Sequence, residues 1–340
     1  EVQAAVLSHK AGRPVKITYT REEVFYAHRG RPIQIIELKT GVTREGKITA
    51  VEARTIQDGG AYCGYGPVTL LYSGQLLGAM YDIRNVKFDG YRVLTNKPAC
   101  GAMRGHGTVN TRFAFESQLD ILAHELGLDP AELRFRNLLQ PPCVTVNQLR
   151  VTSYGYPECL RRVIDRSGWR EKKGKLPYGR GVGLAGSHYV SGAANPIIRS
   201  GMPQTTVRIE VRTNGSVHVF TGAAEIGQGS DTIQVQLVAE ELGIRPDRIH
   251  LVAADTGRTP VDLGSYSSRV TFMAGNACLD AARKIRQQLF DAVARSWGVP
   301  ATALAARAER IFLRAQPGRS VGVGQAVGLA RHGAASLTAE

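Results

Sequence analysis

Two hairpin signals, one in each half of the chain, most constrain the fold of this 340-residue sequence. Residues 33–58 alternate apolar and polar side chains on both sides of a turn at Glu45-Gly46, which predicts a β-hairpin. Segments 206–212 and 216–221 flank Asn214-Gly215, a dipeptide typical of tight hairpin turns. Because hairpins outnumber strand–helix–strand units, we predict an α+β fold of two domains, with mixed or antiparallel sheets and packed helices.

Helical patterns occupy much of the remaining chain. Asp129 and Pro130 are typical of a helix start, with an acidic N-cap followed by proline at the first helical position. Ser230 and Asp231 are the predicted cap of a further helix. The predicted helices span 111–126, 130–138, 157–167, 231–242, 268–297 and 325–330, and further strands are predicted at 86–94 and 248–253.

The basic, turn-rich stretch 168–181 is the predicted linker between the two domains. The first domain is then 1–167 and the second is 182–340, a length that allows each to bury its own core. The sequence starts without Met and stops at Glu340 with no evident end. We therefore expect a piece of a longer polypeptide or a processed product.

Charge and cysteine usage narrow the possible partners. A net charge of +14 would suit a nucleic acid or an anionic ligand. Lys and Arg are spread along the chain and no nucleic-acid module is recognisable, so we expect no nucleic-acid partner. No apolar run approaches the length of a membrane span, so we expect no membrane contact. The five cysteines occur singly, which argues against an iron–sulfur cluster or structural zinc held by this chain alone and fits a reducing cytoplasm.

Three glycine- or serine-rich turns, at 101–107, 222–230 and 262–269, each precede a predicted helix. If they converge, they offer backbone N–H groups, hydroxyls and two arginines to one large, polar, anionic ligand. Taken separately, each could be only a structural turn. At Ser267 and Ser268, a serine N-cap would explain one of the two hydroxyls without any ligand.

The second turn centres on Gly227-Gln228-Gly229, where two glycines permit close approach to a neutral amide. A strand, a glycine turn and a helix N-terminus together form a cradle that tolerates anions. The turn has neither the lysine of a phosphate-binding P-loop nor the glycine spacing of a dinucleotide fingerprint. In the first turn, His106 lies between two glycines, and we expect its side chain to project into open space.

The sequences Gly-Ala-Met-Arg-Gly-His-Gly at 101–107, Glu-Ile-Gly-Gln-Gly-Ser-Asp at 225–231 and Gly-Ser-Tyr-Ser-Ser-Arg at 264–269 resemble motifs of one family. In this order they are similar to the molybdenum-cofactor-binding subunits of the xanthine dehydrogenase and aldehyde oxidase family. Within that family the details are most similar to the large subunit of 4-hydroxybenzoyl-CoA reductase, on residues such as 28–31 and 259–269.

The resemblance implies molybdenum held by a pterin dithiolene, in most bacterial members extended to a cytosine dinucleotide. It places FAD and [2Fe-2S] clusters on partner subunits. Gln228 matches the glutamine whose amide approaches an oxo ligand of molybdenum. The implied cofactor-binding residues are Met103, Arg104, Gly105, Gly227, Gln228, Gly229, Ser230, Ser265, Ser267, Ser268 and Arg269, and none of them ligates the metal.

His106 departs from the family pattern. Xanthine-hydroxylating members usually carry a phenylalanine there, so a polar, protonatable ring argues against a purine and suits a substrate with a phenolic or carbonyl oxygen. Tyr65 and Tyr72 are further candidates for the substrate pocket, although both could equally pack at a loop.

The family's catalytic base is a glutamate in a C-terminal glycine-rich loop that has no counterpart here. Residues 322–325 are superficially similar but carry Gln325, which cannot act as a base. We therefore expect this chain to be inactive alone. The predicted reaction of the whole enzyme is reductive dehydroxylation of 4-hydroxybenzoyl-CoA to benzoyl-CoA. Alternatives are oxidative hydroxylation of an aldehyde or N-heterocycle, and a truncated, non-catalytic scaffold.

Overall fold

A computed structural model describes residues 2–190, 205–330 and 336–340. The chain divides into two compact units, residues 1–189 and 190–340. The predicted domain boundaries at 168 and 181 stay a prediction. Among the described residues, no helix combines the length and the apolar character that a membrane crossing requires.

The first unit combines seven helices with five strands in its described part. Strands β1 and β2 form the predicted hairpin, and β3 adds to β2 in parallel. In chain order the elements are α1 (Val2–Ala11), α2 (Arg21–Ala27), β1 (Gln34–Val42), β2 (Ile48–Asp58), α3 (Gly66–Gln75), β3 (Val86–Val93), α4 (Thr108–Glu125), α5 (Pro130–Arg136), β4 (Cys143–Val144), β5 (Arg150–Val151), α6 (Tyr156–Ser167) and α7 (Trp169–Lys172).

The apolar core of the first unit lies between the three-stranded sheet and helix α4. Phe115 and Leu119, one turn apart on α4, are buried together with Val51 and Ala53 of β2 and Leu77 beyond α3. The i, i+4 spacing places the α4 residues on one face, where the helix covers the alternating inward side chains of β2. This packing fixes the start of α4, and the glycine-rich turn at 101–107 lies immediately before it.

A buried ion network also crosses the first unit. Arg134 is fully buried and donates from Nε to Glu116 Oε2 at 2.9 Å and from a terminal nitrogen to Asp120 Oδ1 at 2.8 Å. Tyr81 donates its hydroxyl to the other Glu116 oxygen at 2.7 Å. The network ties α5 to α4, and its Arg134–Glu116 pair is closed to solvent, whereas the Asp120 side chain is 44% exposed.

Asp129 links two helices and a buried indole. Its Oδ1 accepts the backbone N–H of Ala131 at 2.7 Å, as the predicted N-cap, and its Oδ2 accepts Trp169 Nε1 at 2.9 Å. We expect Asp129→Ala to lower the free energy of unfolding by about 1–3 kcal/mol, because it removes a helix cap and leaves a buried indole N–H unpaired. Denaturant unfolding would measure the loss. Asp129→Asn, which keeps an acceptor, should lose less, and equal losses would contradict this account.

The second unit is built on a four-stranded sheet of order β12-β6-β7-β8, with a separate three-stranded sheet of order β11-β10-β9. β6 and β7 form the predicted antiparallel hairpin, and β8 runs parallel to β7. The elements are β6 (Val207–Arg212), β7 (Val217–Thr221), α8 (Ser230–Leu242), β8 (Ile249–Ala253), α9 (Val270–Trp297), β9 (Leu304–Arg307), β10 (Arg310–Leu313), β11 (Gln316–Gly322), α10 (Val323–Ala330) and β12 (Ser336–Ala339).

Helix α9 is the main packing partner of the larger sheet. Cys278, Ile285 and Val293 on one of its faces are buried against Ile209 and Val219 from the strands. Burial raises the pKa of the Cys278 thiol to about 12, so this cysteine behaves as a core residue. Two places at the edge of this core position the candidate site: the connection between β7 and α8, and the start of α9.

The predicted α+β class, both hairpins and all six predicted helices are confirmed, with starts that shift by up to three residues. The patterns missed helices α1, α2, α3 and α7, the strand pair β4–β5, the sheet β9–β11 and strand β12. Neither predicted serine cap forms. Gly229 is the N-cap of α8 and Arg269 that of α9, and neither of these two N-cap residues makes a side-chain cap bond to the described residues.

Candidate functional site

The turn at 101–107 enters helix α4 through two left-handed glycines. Gly105 and Gly107 have φ values of 69° and 77°. A Cβ on Gly107 would lie 2.2 Å from the carbonyl oxygen of Thr69, so α3 approaches the backbone here as closely as only glycine allows. Met103 and Arg104 are exposed, and the Arg104 carbonyl accepts a hydrogen bond from the Arg31 guanidinium at 2.5 Å.

His106 is buried, with 9% of its surface exposed, so the expectation that it projects into open space was wrong. Three tyrosine rings surround it nearly edge-on, with centroid distances of 4.9 Å to Tyr72, 5.6 Å to Tyr65 and 5.8 Å to Tyr189. Both tyrosines that the sequence suggested thus contact His106. Tyr189 was missed, because 83 positions separate it from the histidine and no local pattern connects them.

This aromatic cluster is electrically neutral. Burial lowers the pKa of His106, and the positive charge of Arg31 lowers it further. Burial and the neighbouring tyrosines raise the pKa of Tyr189. His106 Nδ1 and the Tyr189 hydroxyl are buried and have no hydrogen-bond partner among the described residues. The cluster therefore offers uncharged polar atoms that can pair with a polar group of a ligand.

Tyr189 is held beside His106 by its chain neighbours. The backbone N–H of Gly186 donates to Glu116 Oε2 at 2.9 Å, and His188 Nδ1 lies 3.0 Å from the Arg112 guanidinium. Because a guanidinium can only donate, Nδ1 of His188 accepts this bond. The buried ion network thus anchors the end of the first unit and, through it, one wall of the aromatic cluster.

His188 gives the first unit a pH-dependent stability. Burial and the Arg112 charge lower the pKa of His188 to about 4, below the value of about 6.5 in an unfolded chain. Stability is therefore complete above pH 6.5 and falls as pH drops towards 4. We expect a loss of about 2 kcal/mol between pH 7.5 and pH 5, measured by denaturant unfolding. His188→Gln, which retains an acceptor but does not titrate, should lack this part of the loss. An equal pH dependence in both chains would rule out His188 as its source.

In the second unit, the Gly-Gln-Gly turn is exposed and folds back on itself. Gly227 and Gly229 have φ values of 98° and 80°, and a Cβ on either would meet no atom of the described residues within 4 Å. Gln228 Nε2 donates to the Ala224 carbonyl at 3.0 Å and to Ser230 Oγ at 2.9 Å. Both amide hydrogens are thus used inside the turn, and the space above the glycines is open.

Glu225, a residue that the sequence patterns did not indicate, places its carboxylate at the start of α8. Its carboxylate accepts the backbone N–H groups of Gly227 at 2.7 Å, Gly229 at 3.1 Å and Asp231 at 3.2 Å. The cradle predicted for an external anion is therefore filled by the chain's own carboxylate. An acidic residue just before a glycine turn and a helix start was the signal that could have identified it.

The third turn is anchored by a buried ion pair. Arg269 donates to Asp262 Oδ1 at 2.8 Å, to the Gly264 carbonyl at 2.8 Å and to Thr205 Oγ1 at 2.6 Å. The side chains of Arg269 and Asp262 are 0% and 1% exposed. The guanidinium predicted as a cofactor ligand is thus engaged in holding the turn before α9.

The second and third turns contact each other within the second unit. Ser265 Oγ donates to the Ala224 carbonyl at 2.6 Å, the same oxygen that accepts from Gln228. A Cβ on Gly222 would lie 2.4 Å from the Pro260 carbonyl oxygen, so these two backbones approach closely. Gln228 and Ser265 therefore share one acceptor, whereas Met103, Arg104, Gly105 and the aromatic cluster belong to the first unit.

The starts of α8 and α9 differ in their fitness for an anionic cofactor. At α8, Glu225 and Asp231 place two carboxylates by the helix N-terminus. At α9, the first turn has no acidic residue, and Ser267 and Ser268 precede it in left-handed conformation, with φ values of 50° and 49°. Strained serines beside a helix N-terminus that carries no acidic residue fit phosphate or pterin oxygens. The described residues at the start of α9 thus suit an anionic cofactor. Those before α8 leave open space above Gly227 and Gly229.

The sequence belongs to the molybdopterin cofactor-binding domains of the xanthine dehydrogenase and aldehyde oxidase family. Two such domain families match residues 1–138 and 160–340. The described residues contain no group of three His, Cys, Asp or Glu side chains that could hold a metal ion.

Three known proteins illustrate the similarity. A putative xanthine dehydrogenase molybdenum-binding subunit, XdhA, of Escherichia coli K12 is 33% identical over 299 residues, 85% of this chain and 39% of that protein. An aldehyde oxidoreductase of Megalodesulfovibrio gigas is 28% identical over 82% of this chain and 31% of its own. A solved CO dehydrogenase from Oligotropha carboxidovorans shares the fold, with a TM-score of 0.79 at 24% identity over 99% of this chain and 45% of that one. The chain thus spans less than half the length of these relatives.

Proposed function

We propose that this chain is the molybdopterin-holding part of an oxidoreductase that hydroxylates an aldehyde or an N-heterocycle. The observation that carries the proposal is the joining of the Gln228 turn to the Ser265 turn through one carbonyl oxygen, that of Ala224. This contact brings together two of the three motifs on which the family resemblance rests. The relatives named xanthine dehydrogenase and aldehyde oxidoreductase support this reaction class.

The residues have distinct roles in this proposal. The bound molybdenum, in its pterin cofactor of the cytosine dinucleotide type, supplies the two-electron and oxygen-transfer chemistry. Gln228 supplies a neutral hydrogen-bond donor, which can contact an oxo group without adding charge. Gly227 and Gly229 leave clearance for a bulky group, and Ser267 and Ser268 bind its phosphate or pterin oxygens. Met103, Arg104, Gly105, Ser230, Ser265 and Arg269 complete the proposed cofactor contacts, Arg269 by holding its turn.

The aromatic cluster is the proposed substrate-binding surface. A planar substrate can pack against the Tyr65, Tyr72 and Tyr189 rings, and an oxygen atom can pair with neutral His106. The same geometry favours a second candidate reaction, reductive dehydroxylation of 4-hydroxybenzoyl-CoA, because its substrate carries both a phenolic and a carbonyl oxygen. The lowered pKa of His106 favours its uncharged ring, which suits a hydrogen bond to a substrate oxygen in either reaction.

The partners follow from the reaction class. Two electrons must leave or reach the site, and we propose an FAD-binding subunit and a [2Fe-2S] subunit as their carriers. The general-base glutamate of the family belongs, in this proposal, to protein outside the present sequence. The acting enzyme is then the whole subunit in its complex.

The test is purification of the whole subunit with its partner subunits from a cofactor-replete host. Molybdenum per subunit is measured by mass spectrometry, and turnover is assayed with aldehydes, nicotinate, purines and 4-hydroxybenzoyl-CoA. Stoichiometric molybdenum with turnover of an aldehyde or heterocycle supports the proposal, whereas turnover of only the CoA thioester supports the second candidate. A folded complex that contains no molybdenum would instead support the third alternative, a non-catalytic scaffold.

A further inference from the structure

The carboxylate of Glu225 lies inside a ring of backbone donors. Its Oε1 accepts from Gly227 and Gly229, and its Oε2 accepts from Asp231. Ser230 Oγ lies 3.5 Å from Oε2, at the limit of a hydrogen bond. One side chain thus satisfies donors from both glycines of the turn and from the first turn of α8. An ionised acceptor makes each such bond stronger than a neutral one.

Burial contributes little to holding this turn in place in the described structure. The residues from Glu225 to Gly229 are exposed, and the positions above both glycines are open. Glycines in left-handed conformation lose much conformational entropy when they are fixed. The conformation of the turn therefore depends on its hydrogen bonds, and Glu225 makes three of those that restrain the backbone on either side of Gln228.

The Gln228 amide is connected to the same carboxylate. Nε2 of Gln228 donates to Ser230 Oγ at 2.9 Å, and that hydroxyl is the group beside Glu225 Oε2. Gln228 Oε1 accepts the backbone N–H of Ile226 at 2.6 Å. A shift of the carboxylate would displace both the backbone that carries Gln228 and the hydroxyl that orients its amide.

The location also suits a permanent negative charge. Desolvation opposes ionisation of Glu225, but the backbone N–H groups of Asp231, Gly229 and Gly227 outweigh it and lower its pKa. The α8 dipole adds to this preference, because its positive end faces the carboxylate. Desolvation, with the neighbouring Glu225 charge, raises the pKa of Asp231, so Glu225 is the acid that this helix end favours in its ionised form.

We propose that Glu225 is a positioning residue, whose carboxylate fixes the Gly-Gln-Gly turn and thereby sets the location of the Gln228 amide. The role of Gln228 in this inference rests on the proposed function, whereas the restraint of the turn does not. Glu225 acts through the backbone of the turn and takes no part in proton transfer.

Two variants of the whole subunit in its complex test the inference, Glu225→Ala and Glu225→Gln. Backbone hydrogen exchange of the peptide covering 224–232 is measured by mass spectrometry, beside molybdenum content, kcat and KM. Asp231→Asn removes one carboxylate from the same helix end without touching the ring of donors. Glu240→Gln removes an exposed carboxylate elsewhere on α8.

For Glu225→Ala we expect exchange of the turn amides to rise at least tenfold and kcat to fall at least tenfold, with KM within threefold of wild type. Glu225→Gln keeps a neutral acceptor, so its exchange rate and its kcat should lie between those of wild type and those of Glu225→Ala. Asp231→Asn should leave exchange unchanged, and Glu240→Gln should leave both exchange and kcat unchanged. Should Glu225→Ala fail to fold, the graded effect of Glu225→Gln decides.

Unchanged exchange in folded Glu225→Ala or Glu225→Gln would overturn the inference. So would faster exchange with unchanged kcat in an active, molybdenum-loaded complex, because the turn would then not control Gln228. If wild type itself lacks molybdenum and turnover while exchange still rises in the Glu225 variants, the proposed function fails but the restraint of the turn by Glu225 stands.

Discussion

Arg134→Met should lower the free energy of unfolding by about 3–5 kcal/mol, because it leaves the Glu116 carboxylate buried without its closest charged partner. Burial disfavours the Arg134 charge, but Glu116, Tyr81 and Asp120 outweigh it and raise the pKa of the guanidinium. Arg134 Nε lies 2.9 Å from Glu116 Oε2, and the pair is excluded from solvent, with side-chain exposures of 0% and 4%. Methionine fills much of the same volume, so the loss reports the charge rather than a cavity.

The chain contains a matched control for this measurement. Arg136, two positions further along α5, forms an ion pair with Glu132 that is partly open to solvent, with side-chain exposures of 33% and 51%, and it also donates to the Glu45 carbonyl. Because solvent screens this pair, Arg136→Met should cost less than about 1 kcal/mol. Denaturant unfolding of both variants gives the comparison, and the double variant Arg134→Met/Glu116→Gln should recover part of the loss. Similar small losses from Arg134→Met and Arg136→Met would show that the buried network does not stabilise the unit.

The sequence predicted the helices and strands in which burial of one face produces a regular spacing of apolar residues. The hairpin at 33–58 alternates because one face of β2 packs on α4, and α9 is periodic because one of its faces covers the larger sheet. Helices α1 and α2 bury no residue, so no apolar stripe marks them. Helix α3 begins at Gly66 and Pro67, which indicated a loop, although proline is well suited to the first helical turn.

The site was predictable only to the level of its local turns. Glycine placement located all three turns, because left-handed backbone and close approach require that residue at Gly107 and Gly222. The burial of His106 was not predictable, since it depends on Tyr189, which arrives from a distant part of the chain. Glu225 was missed for a different reason: a helix N-terminus attracts an anion, and the sequence does not say whether that anion is a ligand or a nearby side chain.

Gln228→Ala should reduce kcat of the molybdenum-loaded complex by about 10²–10³-fold, the usual cost of removing one hydrogen-bond donor from developing charge. Gln228→Glu should be similarly impaired, because an ionised carboxylate accepts but cannot donate. In the present conformation Nε2 donates to Ala224 and Ser230, so donation to a ligand requires the amide to exchange one of these partners. The open space above Gly227 and Gly229 permits that movement.

The measurement is steady-state turnover of the whole complex with the substrate identified for wild type, normalised to bound molybdenum. Gln287→Ala, which removes an exposed amide from α9, is the control and should retain wild-type turnover. KM should change less than kcat, because Gln228 is proposed to contact the metal's oxo group rather than the substrate. A kcat within twofold of wild type at equal molybdenum content would remove Gln228 from the chemistry. Loss of molybdenum itself would instead assign the residue to cofactor retention, since its turn would then be needed to hold the group rather than to polarise it.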